Sequence, residues 1–171
     1  MLIKKHWWII LLSSFFFVAC GYRFAGTGHL PSGIRHIFIE VLENRSGETG
    51  IENTITNDLI YEFIRSGNVV SKEKMKADAV LSGSIADLHI DTATHKSAHS
   101  ALEGRVTVLL DLKLISSEGK LFWSANGVSA DQTYDIIANS QLATEQNRRT
   151  AIKELSKRLA ETVYNNLSTD F

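Results

Sequence analysis

The stretch RVTVLLDLKLI at residues 105–115 decides the fold. Val106, Val108, Leu110, Leu112 and Leu114 alternate with Thr107, Asp111 and Lys113. That two-residue period belongs to a strand that buries one face and wets the other. Ser116-Ser117-Glu118-Gly119 follows as a turn, and residues 121–130 return as a second strand, completing a hairpin. Upstream, residues 79–90 make another strand, with Leu81, Gly83 and Ile85 in one phase and Ala86, Leu88 and Ile90 in the other. The change of phase predicts a bulge near Ala86. Residues 91–104, small and polar, read as the loop joining the two.

Further out the period changes. Residues 34–42 (IRHIFIEVL) are rich in β-branched residues and read as the first strand, followed by a polar loop over residues 44–50. Thr49 with Glu52 fits a capping box, and Ile51, Ile55, Leu59, Ile60, Phe63 and Ile64 fall on one helical face. Gly67-Asn68 ends that helix as a C-cap pair. From about Gln141 the chain is helical again, with Ile152, Leu155, Leu159, Val163 and Leu167 spaced three and four apart. Arg148, Arg149, Lys153, Lys157 and Arg158 are expected off that stripe.

The order is β-α-β-β-β-α, an α+β two-layer sandwich with about four strands packed on two helices. Its core should join Ile55, Leu59 and Phe63 with Ile152, Leu155 and Leu159 against Val106, Val108 and Leu110. Leu109, Ile115, Leu121 and Trp123 fall outside the main strand phase. They are either further core, the favoured reading for apolar residues, or a partner-facing patch.

The N-terminus is unlike the rest. Lys4, Lys5 and His6 precede an apolar run over residues 7–18 broken only by Ser13 and Ser14, with no acidic residue. That is the pattern of a secretory signal, and the run is short for a membrane-spanning helix. It ends in Phe17-Val18-Ala19-Cys20, small residues before the only cysteine in the chain. The pattern resembles a bacterial lipobox, although Phe17 replaces the usual Leu. An uncleaved anchor with a buried thiol is the alternative. Residues 1–19 are therefore expected to be removed, residues 20–33 to form a lipidated N-terminus and tether, and residues 34–171 to form one domain. Gly21 after the cysteine, in place of an inner-membrane-retaining Asp, implies the outer membrane, periplasmic side.

Cleavage would leave 152 of 171 residues with 16 basic against 19 acidic, so a general nucleic-acid-binding field is excluded. One cysteine excludes an intramolecular disulfide framework and multi-cysteine metal sites. No nucleophile elbow, P-loop or HExxH motif occurs, so no enzyme chemistry and no cofactor is expected. Gly26-Thr27-Gly28 follows no strand and reads as a turn. Glu40, Glu43 and Glu48 are scattered. His89, Asp91, His95, Lys96 and His99 cluster on the expected loop. Their spacing matches no zinc motif and a flexible loop is a poor cage, so solvated side chains come first, then a contact for an anionic ligand, and a metal site last. Arg148-Arg149 makes a second basic spot.

Cys20-Gly21-Tyr22-Arg23-Phe24, then Leu30-Pro31-Ser32 and the strand after it, resemble the start of the LPS-assembly lipoprotein LptE family. The capped helix, Leu81-Ser82-Gly83, the hairpin and the long last helix extend the likeness over the mature chain. The resemblance implies a non-enzymatic lipoprotein that helps assemble and plug a LptD-type outer-membrane barrel and helps it pass lipopolysaccharide. It also implies cationic contacts to lipid A phosphates from the loop after the second strand and from the head of the last helix. Those regions supply His95, Lys96, Arg148 and Arg149. A second reading keeps the anchor and makes the chain an activator or scaffold of another envelope machine, such as a peptidoglycan synthase. The tether of about a dozen residues reaches at most roughly 50 Å, which favours a partner close to the membrane.

Overall fold

The computed structural model describes Leu30, residues 34–93 and residues 102–170, with no account of the side chains of Thr92 and Ala93. Cys20, His95, Lys96 and His99 lie outside the described residues. The elements are β1 (His36–Ile39), β2 (Glu43–Asn44), α1 (Ile51–Arg65), β3 (Val69–Val70), a short 3-10 turn (Lys74–Lys76), β4 (Ala79–Ala93), β5 (Leu102–Ser116), β6 (Leu121–Ile136) and α2 (Gln141–Thr169). One sheet runs β3-β1-β4-β5-β6, with β2 added to the edge of β4 beyond β1. β1 and β2 are parallel to β4, while β4, β5 and β6 form an antiparallel meander. The expected α+β two-layer sandwich is present, with two short strands that sequence periodicity did not resolve.

The alternation at residues 105–115 holds throughout. Val106, Val108, Leu110, Leu112 and Leu114 are buried beneath the helices, as are Ile55, Leu59, Phe63, Ile152, Leu155 and Leu159. The phase change in β4 is a bulge, where the register with β5 slips between Ile85 and Asp87. The β5–β6 register slips twice, between Leu110 and Leu112 and between Leu114 and Ile115, and, counted from the hairpin turn, the latter sets Trp123 opposite Leu114 on the helix-covered face. Of the four off-phase residues, only Trp123 is core, its indole N–H donating to Asp170 at 2.8 Å. Leu109 and Ile115 are half-buried and Leu121 is exposed.

Three expectations need correction. The first expected strand over residues 34–42 is shortened to β1, His36–Ile39, and the separate β2 follows it at Glu43–Asn44; between them Leu42 donates its N–H to the Thr56 hydroxyl of α1 at 3.2 Å rather than to a strand. The expected loop over residues 91–104 is shorter, since Asp91 to Ala93 pair with Glu103 to Arg105 as continuing ladder. Thr49 does not cap α1, because Gly50 occupies the N-cap at φ 89° without a side-chain bond. Half of the box survives, for the Glu52 carboxylate accepts from the Gly50 N–H at 3.0 Å.

The C-terminal end of α1 follows expectation. Gly67 takes φ +88°, its N–H bonds the Ile64 carbonyl, and the Asn68 N–H bonds that of Phe63. These are the paired bonds of a Schellman ending, which glycine accommodates without strain. α2 then packs along α1 in the same direction. Ser156 donates to Asp58 at 2.5 Å, and the ring of Phe63 meets that of Tyr164 edge-on at 5.1 Å. Leu30 is also buried in this core, so packing begins ahead of residue 34.

Candidate functional site: the head of the last helix

β5 pairs Glu103 with Ala93 on one side and Leu102 with Ile136 on the other. α2 begins five residues after Ile136. The strand ends that flank residues 94–101, His95 and Lys96 among them, and the head of α2 therefore share one end of the domain. The head is fastened by local chemistry. Ser140 caps it by accepting the Ala143 N–H at 3.2 Å, an N-cap arrangement that satisfies a donor the helix leaves free. Thr144 accepts from the Ile137 N–H, and the Asn147 amide donates to the Asp135 carbonyl.

Arg148 and Arg149 sit differently. Arg148 is four, seven and eleven residues before Ile152, Leu155 and Leu159, so it extends the buried stripe instead of lying off it as expected. Its side chain is only 16% exposed. The guanidinium donates to both Glu48 oxygens at 2.8 and 3.2 Å and to both Glu145 oxygens at 2.8 and 2.9 Å. This fork ties the head of α2 to the loop before α1, and these carboxylates raise the Arg148 pKa above the usual guanidinium range. Bonds from Arg148 first, then Arg149, hold Glu145 down at about 2.

Arg149 points the other way, 72% exposed, with a single 2.8 Å bond to Glu145. With Lys153, one turn on, it borders a shallow groove of about 430 Å³ that runs over Ile152 to Gly50, Ile51 and Thr54. Lys153 makes no ion pair among the described residues. Sequence reading grouped the two arginines by adjacency. The four-residue spacing of Arg149 and Lys153 was the signal that would have paired the exposed cations.

The other described groups singled out in the sequence stand apart from one another. His89 contacts Asp91 at 2.8 Å on the open face of the sheet, both exposed. Glu40 pairs with Lys74, Glu43 with Arg45 and Glu48 with Arg148. Among the described residues no three potential metal ligands converge. The open face bears Ser82, Ser84, Asp111, Lys113, Ser124 and Asn126 around a shallow hollow of about 590 Å³. It is the polar side of the alternation that buries the other.

Solved structures share this fold. A minor lipoprotein from Acinetobacter baumannii superposes with a TM-score of 0.59 at 13% identity, covering 80% of this chain and 92% of that one. Lipoprotein B from Nitrosomonas europaea gives 0.60 at 14%, over 85% and 88%. The rare lipoprotein B from Shewanella oneidensis gives 0.51 at 12%, over 75% and 94%. No curated protein matches in sequence. A family profile described as LptE, lipopolysaccharide-assembly, matches residues 34–167, which span β1 to the last turns of α2. The chain is a member of the LptE family of lipopolysaccharide-assembly lipoproteins.

Proposed function

We propose that this chain is acylated at Cys20 after removal of residues 1–19 and is held on the periplasmic side of the outer membrane. There it assists assembly of a LptD-type β-barrel, occupies the barrel lumen and takes part in delivering lipopolysaccharide to the cell surface. The observation that carries this reading is the family match over residues 34–167. Two physical features support it. Barrel interiors are polar, and the open sheet face is a polar surface of mixed charge, with Arg105, Asp111, Lys113 and Asp131 among its residues. Three acyl chains on one cysteine bury enough hydrocarbon for stable anchoring at about 0.8 kcal/mol per CH2.

The glycolipid contact belongs at the end that joins loop 94–101 to the head of α2. Arg149, with His95 and Lys96 from the loop, supplies donors for lipid A phosphates, where charge-assisted bonds are strongest. Arg148 serves this contact as a brace, since its donors are committed to Glu48 and Glu145. Lys153 joins the cationic edge. The test replaces Lys96 and Arg149 together with Glu, leaving Arg148 and the core untouched. Retained barrel co-purification with weakened lipopolysaccharide binding and greater permeability to large antibiotics is expected. Unchanged glycolipid binding rejects this end as the contact.

A further inference from the structure

At the end of the domain opposite the head of α2, the connection from β3 to β4 reads Ser71-Lys72-Glu73-Lys74-Met75-Lys76-Ala77. Met75 is 99% exposed, the most exposed large apolar side chain among the described residues. It is not on a slack loop. The Ser71 hydroxyl accepts from the Glu73 N–H and donates to the Glu73 carbonyl. The Lys76 N–H bonds the Glu73 carbonyl, and the Ala77 N–H bonds that of Lys74. These bonds close a 3-10 turn that fixes Met75 outward, between two lysines. A single exposed apolar side chain is ordinary on a protein surface; what sets this one apart is that it is held outward among three lysines.

The position of the turn identifies what it meets. Asp78, three residues on, accepts from the backbone N–H groups of Arg35 and His36, both at 2.8 Å, and its own N–H bonds the His36 carbonyl. Met75 is thus at most about 11 Å along the chain from the point where the N-terminal segment enters the sheet. Leu30 is already in the core, so only residues 21–29 separate it from Cys20. Ten such steps reach at most about 36 Å. Val69, half exposed on the edge strand, pairs in register with His36 beside the same entry point. Lys72 makes no ion pair among the described residues. Lys74 and Lys76 bond Glu40 and Glu73 in exposed pairs that exchange readily for lipid phosphates.

We propose that the Lys72–Met75–Lys76 turn is a second membrane contact. Met75 enters the interfacial region of the bilayer that holds the Cys20 acyl chains, while the lysines meet anionic phospholipid headgroups. This rests on the anchoring proposed above, and on the head of α2 leading into the barrel so that the opposite end, with this turn, stays outside the lumen beside the inner leaflet. An acyl anchor alone lets the domain swing, and a second contact fixes which end faces the membrane. The lysine stems reach along the apolar side chain while their heads stay in the headgroup layer.

The lipidated full chain, purified and placed in phosphatidylethanolamine–phosphatidylglycerol vesicles, tests this with Met75→Cys carrying an environment-sensitive fluorophore. Acylation blocks the Cys20 sulfur, so one site is labelled. Gln146→Cys, exposed on the head of α2, is the reference. The expected result is a blue-shifted label at position 75, quenched by doxyl lipid and severalfold less by aqueous iodide than the label at position 146. A protein that fails to float with the vesicles overturns the anchoring and this contact with it. A protein that floats with equal iodide quenching at both positions overturns the contact alone. A label at position 75 shielded from both quenchers points to a protein contact, and also overturns it.

Discussion

Replacing Arg148 with Ala removes the cation that stands between Glu48 and Glu145. Four charge-assisted bonds of 2.8–3.2 Å are lost. Glu145 keeps Arg149, but Glu48 has no other ion-pair partner among the described residues. An exposed ion pair contributes about 0–1 kcal/mol, and breaking a fully buried one costs about 3–5 kcal/mol. With Arg148 at 16% exposure and its carboxylates at 29% and 34%, the site lies between these limits. The expected loss is about 2 kcal/mol. Trp123 is the only tryptophan after Trp8, and it is buried, so its fluorescence follows unfolding. The urea midpoint should fall with an unchanged slope. Arg148→Lys should recover only part of the loss, because an ammonium restores the charge without the planar fork. An unmoved midpoint in Arg148→Ala would refute the reading of this arginine as a brace.

Leu110→Ala and Leu155→Ala each truncate a fully buried side chain and should cost about 2–5 kcal/mol in the same urea titration. Gly83→Ala should destabilise by about 1–3 kcal/mol, since a Cβ there would strike the Asp111 carbonyl and Leu112 backbone of the neighbouring strand. The pH profile carries a sign. Glu145 is depressed from 4.5 to about 2 in the folded state, so its contribution is complete above the unfolded carboxylate pKa and is lost as pH falls from 4.5 through about 2. Arg148→Ala should flatten that acid limb, read as unfolding midpoints between pH 5 and pH 2.

The fold was largely legible because its strongest signal is long. The alternation at residues 105–115 assigns the buried face of β5, and through its pairing that of β4 and β6. The bulge at Ala86 was readable for the same reason, as a change of phase inside an otherwise regular run. β2 and β3 are two residues each, shorter than any period. They exist because β4 and β1 offer free edges, a tertiary cause that local sequence does not carry. The capping box failed by one residue. Gly50 accepts a left-handed φ, so the helix starts after it and Thr49 is left outside.

The candidate site was legible in place but not in detail. Its location follows from hairpin register, which brings the ends of β4, β5 and β6 to the head of α2. The division of labour between Arg148 and Arg149 follows from helical angle, since adjacent residues point about 100° apart. Counting back from Ile152 places Arg148 on the inward stripe, where a guanidinium must find carboxylates. Its partner Glu48 is 100 residues away in sequence, and nothing local announces it.

The most direct test of the central claim is the identity of what the chain binds in the envelope. The tagged full chain, crosslinked briefly in cells and purified from detergent-solubilised envelopes, should bring down one outer-membrane β-barrel of the LptD type in near-equal amount, identified by mass spectrometry. Recovery of a peptidoglycan synthase in its place, or of no barrel at all, would contradict the account.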